Sequence, residues 1–443
     1  MNSAIRAKLS VMMFLQYVIW GAWLPLIGLY VVNYLKFTNG QQGWINNAFA
    51  FAAITAMLFG GQLADRYFAQ EKFLAFSHLV GGLAMFGLVY VKTFWPFFGL
   101  MVLHCFFYVP TLSVTNAIAF ANLKDPQKEF GFLRLWGTIG WIAASLPFIF
   151  VLVDWAKVPT MEAAGGLMPW LSTALSTPKT GEAMQAALTS TFVVSGIASI
   201  ALAAWSLLLP HTPPATNQGS SFAPLEALKL LAIPSILVLS VVTLLDSIVH
   251  NGYFFWTGRY LSHLGLPENW IAPVMSLGQF AEIPAMAVLG LFLKQLGWRT
   301  TMIIGVLGQA VRFGIYAIGT PETLWLVIGS NLVHGFAYAC FFATVYIFVD
   351  EHFPKDVRTS AQSLFNMLIL GFGALLSNTV WAWLGNVFAT GETIEDVAQV
   401  DYRSLFLVPM GMALVGAVIL ALFFHPKKVG VTKPAAVDEP ALV

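Results

Sequence analysis

Twelve stretches of this chain run for about 20 residues or more with hardly a charge, and that pattern leaves few folds open. They fall near residues 9–35, 43–64, 72–92, 95–121, 131–153 and 188–210, then 228–260, 269–293, 300–319, 321–349, 358–388 and 403–425. Lipid offers backbone N–H and C=O groups no water, so a segment that crosses it satisfies them within itself or within a closed barrel. The runs are too long and too continuously apolar for the alternating strands of a barrel, so each is expected to be a helix. The first follows Arg6 and Lys8 as a secretion signal would, but it is too long and leads into further spans; it reads as an uncleaved helix. With 58% hydrophobic and only 10% charged residues among 443, the expected class is an all-α membrane protein of twelve transmembrane helices in two six-helix halves.

Charge places the ends. Counting loop lysines and arginines with an N-terminus in the cytoplasm gives Arg6, Lys8, Arg66, Lys72, Lys124, Lys128, Lys229, Lys294, Arg299, Lys355, Arg358, Lys427, Lys428 and Lys433 inside. Lys36, Lys92, Lys157, Lys179, Arg259 and Arg403 fall outside, and the excess predicts both termini in the cytoplasm. A net charge of +1 with no extended basic tract makes nucleic acid a poor partner. Cys105 and Cys340 lie in apolar runs and read as small buried hydrophobes.

The polar stretch "LPHTPPATNQGSSFAPLEALK" separates the sixth run from the seventh and cannot bury enough apolar surface to pack. It divides the chain into an N-terminal half (1–210), a cytoplasmic linker (211–227), a C-terminal half (228–426) and a polar tail (427–443). Two such halves with a cavity between them near mid-membrane are the physics of one large transporter architecture. After the second run, "GGQLADRYFAQEKF" supplies Gly61, Asp65, Arg66 and Lys72, which resembles the loop signature of the major facilitator superfamily. Segment 154–187, on the outer side, is expected to carry a short interfacial helix anchored by Trp170.

An ionisable group deep in a membrane helix is expensive, so function is its default reading. Arg134, Asp246, His250, Glu282, Arg312, His334 and His104 are the ones present, and Gln279 shares a helical face with Glu282 three residues on. On the fifth run Arg134, Thr138 and Trp141 form a stripe, with Gly137 and Gly140 allowing a neighbouring helix close. Glu282 is the natural counter-charge to Arg134 and the first candidate to carry a proton, with Asp246 second. Arg312 reads as a structural partner rather than a substrate ligand. No nucleophile elbow, phosphate loop or metal-spaced cluster is present, so neither an enzyme nor a cofactor is expected.

Four motifs in order, "FLQYVIWGAWLPLIGLY", "YVPTLSVTNAIAFANL", "FLRLWGTIGWI" and "VDEHFPKDVRTSAQSLFNM", resemble the nucleoside:proton symporter family of the major facilitator superfamily over nearly the whole chain. The resemblance implies alternating access, co-transport of a nucleoside with a proton, a bacterial inner membrane and a monomer surrounded by lipid. It implies a site built from Arg134, Thr138, Trp141, Gln279 and Glu282, with Tyr338 on the tenth helix; Asn251 and Phe254 of the seventh helix and His334 of the tenth are added to the expected site as polar and aromatic residues of the same helices. The chain departs from the family where Ala339 stands in place of an aspartate and where helix 7 reads "DSIVHNGYFFWTG". A facilitator or symporter for another polar solute, such as a sugar or nucleoside-like metabolite, is the alternative; a receptor or intramembrane enzyme is disfavoured.

Overall fold

The computed structural model describes residues 3–56, 68–123, 126–213, 228–353 and 355–425, with side chains at all of these except 126–128 and 355–360. Gly61, Asp65 and Arg66, the tail 427–443 and most of the linker therefore lie outside the described residues.

The first six membrane helices are α1 (Ser3–Gly28, prolonged by a wider π turn at Leu29–Tyr34), α2 (Asn39–Thr55), α3 (Gln70–Leu88), α4 (Phe94–Asn122), α5 (Pro126–Ser145) and α6 (Ser190–Ser206). Local chemistry starts them: the Thr38 hydroxyl accepts from the Gln41 amide while the Gln41 side chain accepts from the Thr38 amide, so α2 opens on a capping box. The second six begin with α7 (Pro234–His263). The run Leu277–Ala317 folds at Gly297 (φ 74°, ψ 174°), and its limbs are α8 and α9. Glycine alone takes such a φ cheaply, so the two helices meet at a corner where the sequence suggested a loop over 294–299. Then come α10 (Leu324–Tyr338), which continues through a π turn at Ala339–Ala343 into Thr344–His352, α11 (Lys355–Asn366, π turn Met367–Phe372, Gly373–Val387) and α12 (Tyr402–Phe423).

Nine helical runs among the described residues are long and apolar enough to cross a membrane. The Glu268–Ala317 run counts for two of the expected helices, and Asn39–Thr55 and Gln70–Leu88 complete the twelve. Segment 154–187 holds the short helix Leu167–Leu175 and most of a second, Gly181–Leu188; Trp170 Nε1 donates to the Pro159 carbonyl at 3.0 Å. The chain is not purely helical: β1 (Ala389–Ile394) and β2 (Val397–Val400) form an antiparallel hairpin between α11 and α12.

The two sets of six helices are clasped at one end. There Arg259 donates to Asn39 Oδ1 (2.7 Å), Gln42 to the Phe255 carbonyl (2.9 Å), Asn378 to Asn47 (3.0 Å) and Ser276 to Ser145 (2.7 Å), while Tyr34 donates to Glu268. Further hydrogen bonds join the sets at this end, from Asn269 and Trp270 to the Leu175 carbonyl (3.0 Å each) and from Lys36 to the Glu395 carbonyl. One apolar core runs across both sets here, through Trp23, Leu26, Phe255, Trp256 and Trp381. A second core, around Ile236, Val306, Phe348 and Phe424, belongs to α7–α12 alone. The bundle is thus a cleft, closed at the end that carries Tyr34, Glu268 and the β-hairpin.

Candidate functional site

Three glycines bring α5 against α1. A Cβ on Gly140 would stand 2.2 Å from the Phe14 carbonyl oxygen, one on Gly137 2.6 Å from the Tyr17 ring, and one on Gly21 2.9 Å from the Trp141 Cα. This close crossing lays the Arg134 guanidinium over the face of Tyr17, 4.3 Å from its centroid. A cation held against an aromatic face in a site poor in water gains about 0.5–2 kcal/mol and keeps its hydrogen-bond donors free.

Across the cleft a second close crossing sets α8 against α10. At Gly335 a Cβ would stand 2.0 Å from the Gly278 carbonyl oxygen and 2.4 Å from the Glu282 amide nitrogen. The crossing brings Glu282 and Tyr338 within reach of the Arg134 charge, which acts on both. Arg134 and Glu282 act on each other through their charges, without a direct ion pair closer than 4.0 Å. All three side chains keep partial exposure although they sit well inside their helices, as do Thr138, Gln279 and Phe254.

Aromatic rings close the space. Trp141 meets Trp20 edge to face at 5.5 Å and Phe254 at 6.1 Å, and Trp20 stacks on Phe49 at 4.8 Å. On the other wall His250 lies 5.8 Å from Tyr338, 5.7 Å from Phe254 and 5.1 Å from Phe342. Tyr338 is the last residue before the π turn Ala339–Ala343, a distortion that recurs at functional sites because it re-aims the neighbouring side chains. Like His250 Nδ1, the buried atoms Trp20 Nε1, Trp141 Nε1 and Gln279 Oε1 lack any hydrogen-bond partner here. Buried polar atoms are seldom left so, and two donors and one acceptor beside aromatic faces suit a flat polar solute.

The structure thus gathers Arg134, Thr138, Trp141, Phe254, Gln279, Glu282 and Tyr338 around one cleft. Asn251 sits on the same helix, but its amide donates back to the Ser247 carbonyl (2.8 Å). His334 is withdrawn behind His250, 2% exposed, with its Nδ1 taken by Arg312. The aromatics Tyr17 and Trp20 went unremarked in the sequence, because α1 is apolar on every side; their spacing of three residues beside Gly21 is the signal. His104 is no part of the cleft: it is buried and bonded to the Gly81 carbonyl at 3.0 Å. Among the described residues no His, Cys, Asp and Glu cluster could hold a metal ion.

A twelve-helix bundle split by a polar, aromatic-lined cleft defines a secondary transporter of the major facilitator type, an integral membrane protein and not an enzyme. The chain belongs to the nucleoside H+ symporter family, whose model matches residues 1–176 and 180–429. It is 30% identical over 430 residues to the Escherichia coli (strain K12) protein YegT, covering 95% of this chain and 93% of that one. It is 28% identical over 442 residues to the xanthosine permease of the same strain, covering 95% and 96%. The crystal structure of the nucleoside transporter NupG superposes with a TM-score of 0.78 at 23% identity, over 96% of this chain and 100% of that chain, and shares the fold.

Proposed function

We propose that the cleft binds one nucleoside between Trp141 and Tyr338 and that the chain carries it across the membrane together with a proton. Trp141 and Phe254 offer faces for the base, where stacking contributes roughly 1–3 kcal/mol. Arg134 and Gln279 present donors to base and sugar, Thr138 a hydroxyl, and Glu282 an acceptor for ribose hydroxyls. The observation that carries this reading is that Arg134 and Glu282 lie within reach of each other's charge without an ion pair between them, beside unpartnered Trp141 and Gln279 atoms. A solute with hydroxyls at one end and a ring at the other bridges both features. Asn251 and His334 complete the wall from behind.

The loop charges support a cytoplasmic position for both termini, hence a bundle clasped on the outer side and open inward. The relatives' bacterial source supports the inner membrane. The halves 1–210 and 228–426 are the bodies that rock, joined by the linker 211–227, and a single chain encloses the whole cleft, so the working unit is a monomer. Calorimetric titration of purified protein with adenosine, uridine, xanthosine, ribose and glucose tests the assignment. Nucleosides are expected to bind at least about tenfold more tightly than the bare sugars, as stacking requires; equal affinity for glucose and every nucleoside would point to a sugar facilitator instead.

A further inference from the structure

Behind the cleft wall lie two ionisable groups that the nucleoside site does not use, Asp246 and Arg312. Asp246 of α7 is 2% exposed, and neither of its carboxylate oxygens has a hydrogen-bond partner. One turn along the same face stands His250, whose Nδ1 is also unpartnered. His250 stacks on His334 of α10 with ring centroids 4.7 Å apart, and His334 stacks on Tyr253 at 4.3 Å. Arg312 of α9, fully buried, donates from Nη1 to His334 Nδ1 and from Nη2 to Gln309 Oε1 (2.6 Å), and its Nε has no partner. Its guanidinium lies 4.5 Å from the Tyr253 centroid and 4.6 Å from that of Phe313, and its charge acts on Asp246.

The surroundings of Asp246 supply little else. Tyr253 and Tyr316 donate to Asn331 Oδ1 at 2.8 and 3.0 Å. Thr243 and Ser247 on its own helix have free hydroxyls. From α11, Ser377 and Trp381 both donate to the Ile248 carbonyl, and α12 brings its Tyr402 only to the far end of α7, beside Trp256 and Tyr260. Arg312 is therefore the cation available to an ionised Asp246, yet here it spends its Nη1 on a histidine nitrogen that can accept only while the ring is neutral. A buried carboxylate without a paired cation is far more costly than a buried carboxylic acid.

We propose that Asp246 is the proton-binding site of the transporter, and that Arg312 alternates between His334, when Asp246 is protonated, and the Asp246 carboxylate, when it is not. The inference rests on the symport reading above. One proton adds to a carboxylate oxygen from water on one side and leaves to water on the other; Arg312 keeps its charge throughout. His334 carries His250, and His250 touches Tyr338, Phe254 and Phe342, so release of His334 by Arg312 loosens the wall against which the nucleoside sits. Proton and nucleoside then change each other's affinity by the same factor, as linkage demands.

The experiment compares wild-type protein with Asp246→Asn and Asp246→Glu in proteoliposomes, using labelled uridine, adenosine and xanthosine. Each is assayed for accumulation under an inward proton gradient and for exchange of internal against external nucleoside without a gradient. Asp246→Asn is expected to exchange at half the wild-type rate or better and to lose accumulation at least tenfold. Asp246→Glu, which keeps the carboxyl, is expected to accumulate with its pH profile displaced from wild type, and it serves alone if the asparagine variant does not fold. Wild-type accumulation by Asp246→Asn, or an unmoved profile in Asp246→Glu, overturns the assignment. Wild-type protein that exchanges nucleoside but never accumulates it overturns the symport reading, a result seen without any variant.

Discussion

Gly335→Ala is the smallest change that tests how the site is held. The added Cβ would lie 2.0 Å from the Gly278 oxygen, 2.4 Å from the Glu282 nitrogen and 3.0 Å from the Ala281 carbonyl carbon, where ordinary contact starts at 3.4 Å. All three are backbone atoms, so no side-chain rotamer relieves the clash, and α8 and α10 must part by more than an ångström. Overpacking of this kind costs about 1–3 kcal/mol. The displaced residues are Glu282 on one helix and Tyr338, one turn along, on the other, so the cost falls on the site. If it falls wholly on binding, the nucleoside dissociation constant rises by roughly 5- to 150-fold. Gly329→Ala is the control: it lies on the same helix, and its Cβ would meet nothing within 4 Å. That change is expected to be neutral or to stabilise by up to about 1 kcal/mol. Calorimetric affinities and thermal unfolding of both variants in detergent decide the matter. If Gly335→Ala binds and melts like Gly329→Ala, the close crossing does not place the site.

Arg134→Ala and Glu282→Gln are each expected to reduce transport at least about tenfold while the protein remains folded, because each removes one side of the facing charge pair; wild-type uptake by both would remove them from the site. Trp141→Ala is expected to raise the nucleoside dissociation constant about tenfold, the loss of one stacking face, and an unchanged constant in the titration would leave Trp141 a packing residue. A cysteine placed in segment 154–187 is expected to react with an impermeant thiol reagent on intact cells and one at 211–213 is not; the reverse labelling would invert the topology.

The bilayer made most of the fold legible. Length and apolarity alone mark the spans, since lipid permits only helices and closed barrels and these runs are too long for barrel strands. The stripe Arg134, Thr138, Trp141 was legible for a similar reason, because charge is so rare in these helices that its spacing stands out. The clasp and the aromatic walls were not: α1 carries apolar residues all round, so nothing singles out Tyr17 or Trp20 until Gly137 and Gly140 bring α5 to within contact. The β-hairpin was hidden because its turn uses Glu395 and Asp396 at positive φ (48° and 62°) in place of the Asn-Gly or Asp-Gly that would announce it. The order of the two acids is reversed in our proposal for the same reason. Charge spacing put Glu282 ahead of Asp246 as proton carrier, but Glu282 opens on the cleft facing Arg134, whereas Asp246 is sealed without a hydrogen bond next to an arginine committed elsewhere. Burial and partnership of that kind depend on three helices meeting and leave no mark on any one of them.

The central claim is that this cleft moves a nucleoside with a proton, and the most direct measurement is uptake of labelled nucleoside by wild-type protein in proteoliposomes. An inward proton gradient is expected to drive internal nucleoside above the external concentration, and a protonophore to collapse that excess to equality. Uptake that stops at equal concentrations, with or without the gradient, would contradict the account and leave a uniporter in its place.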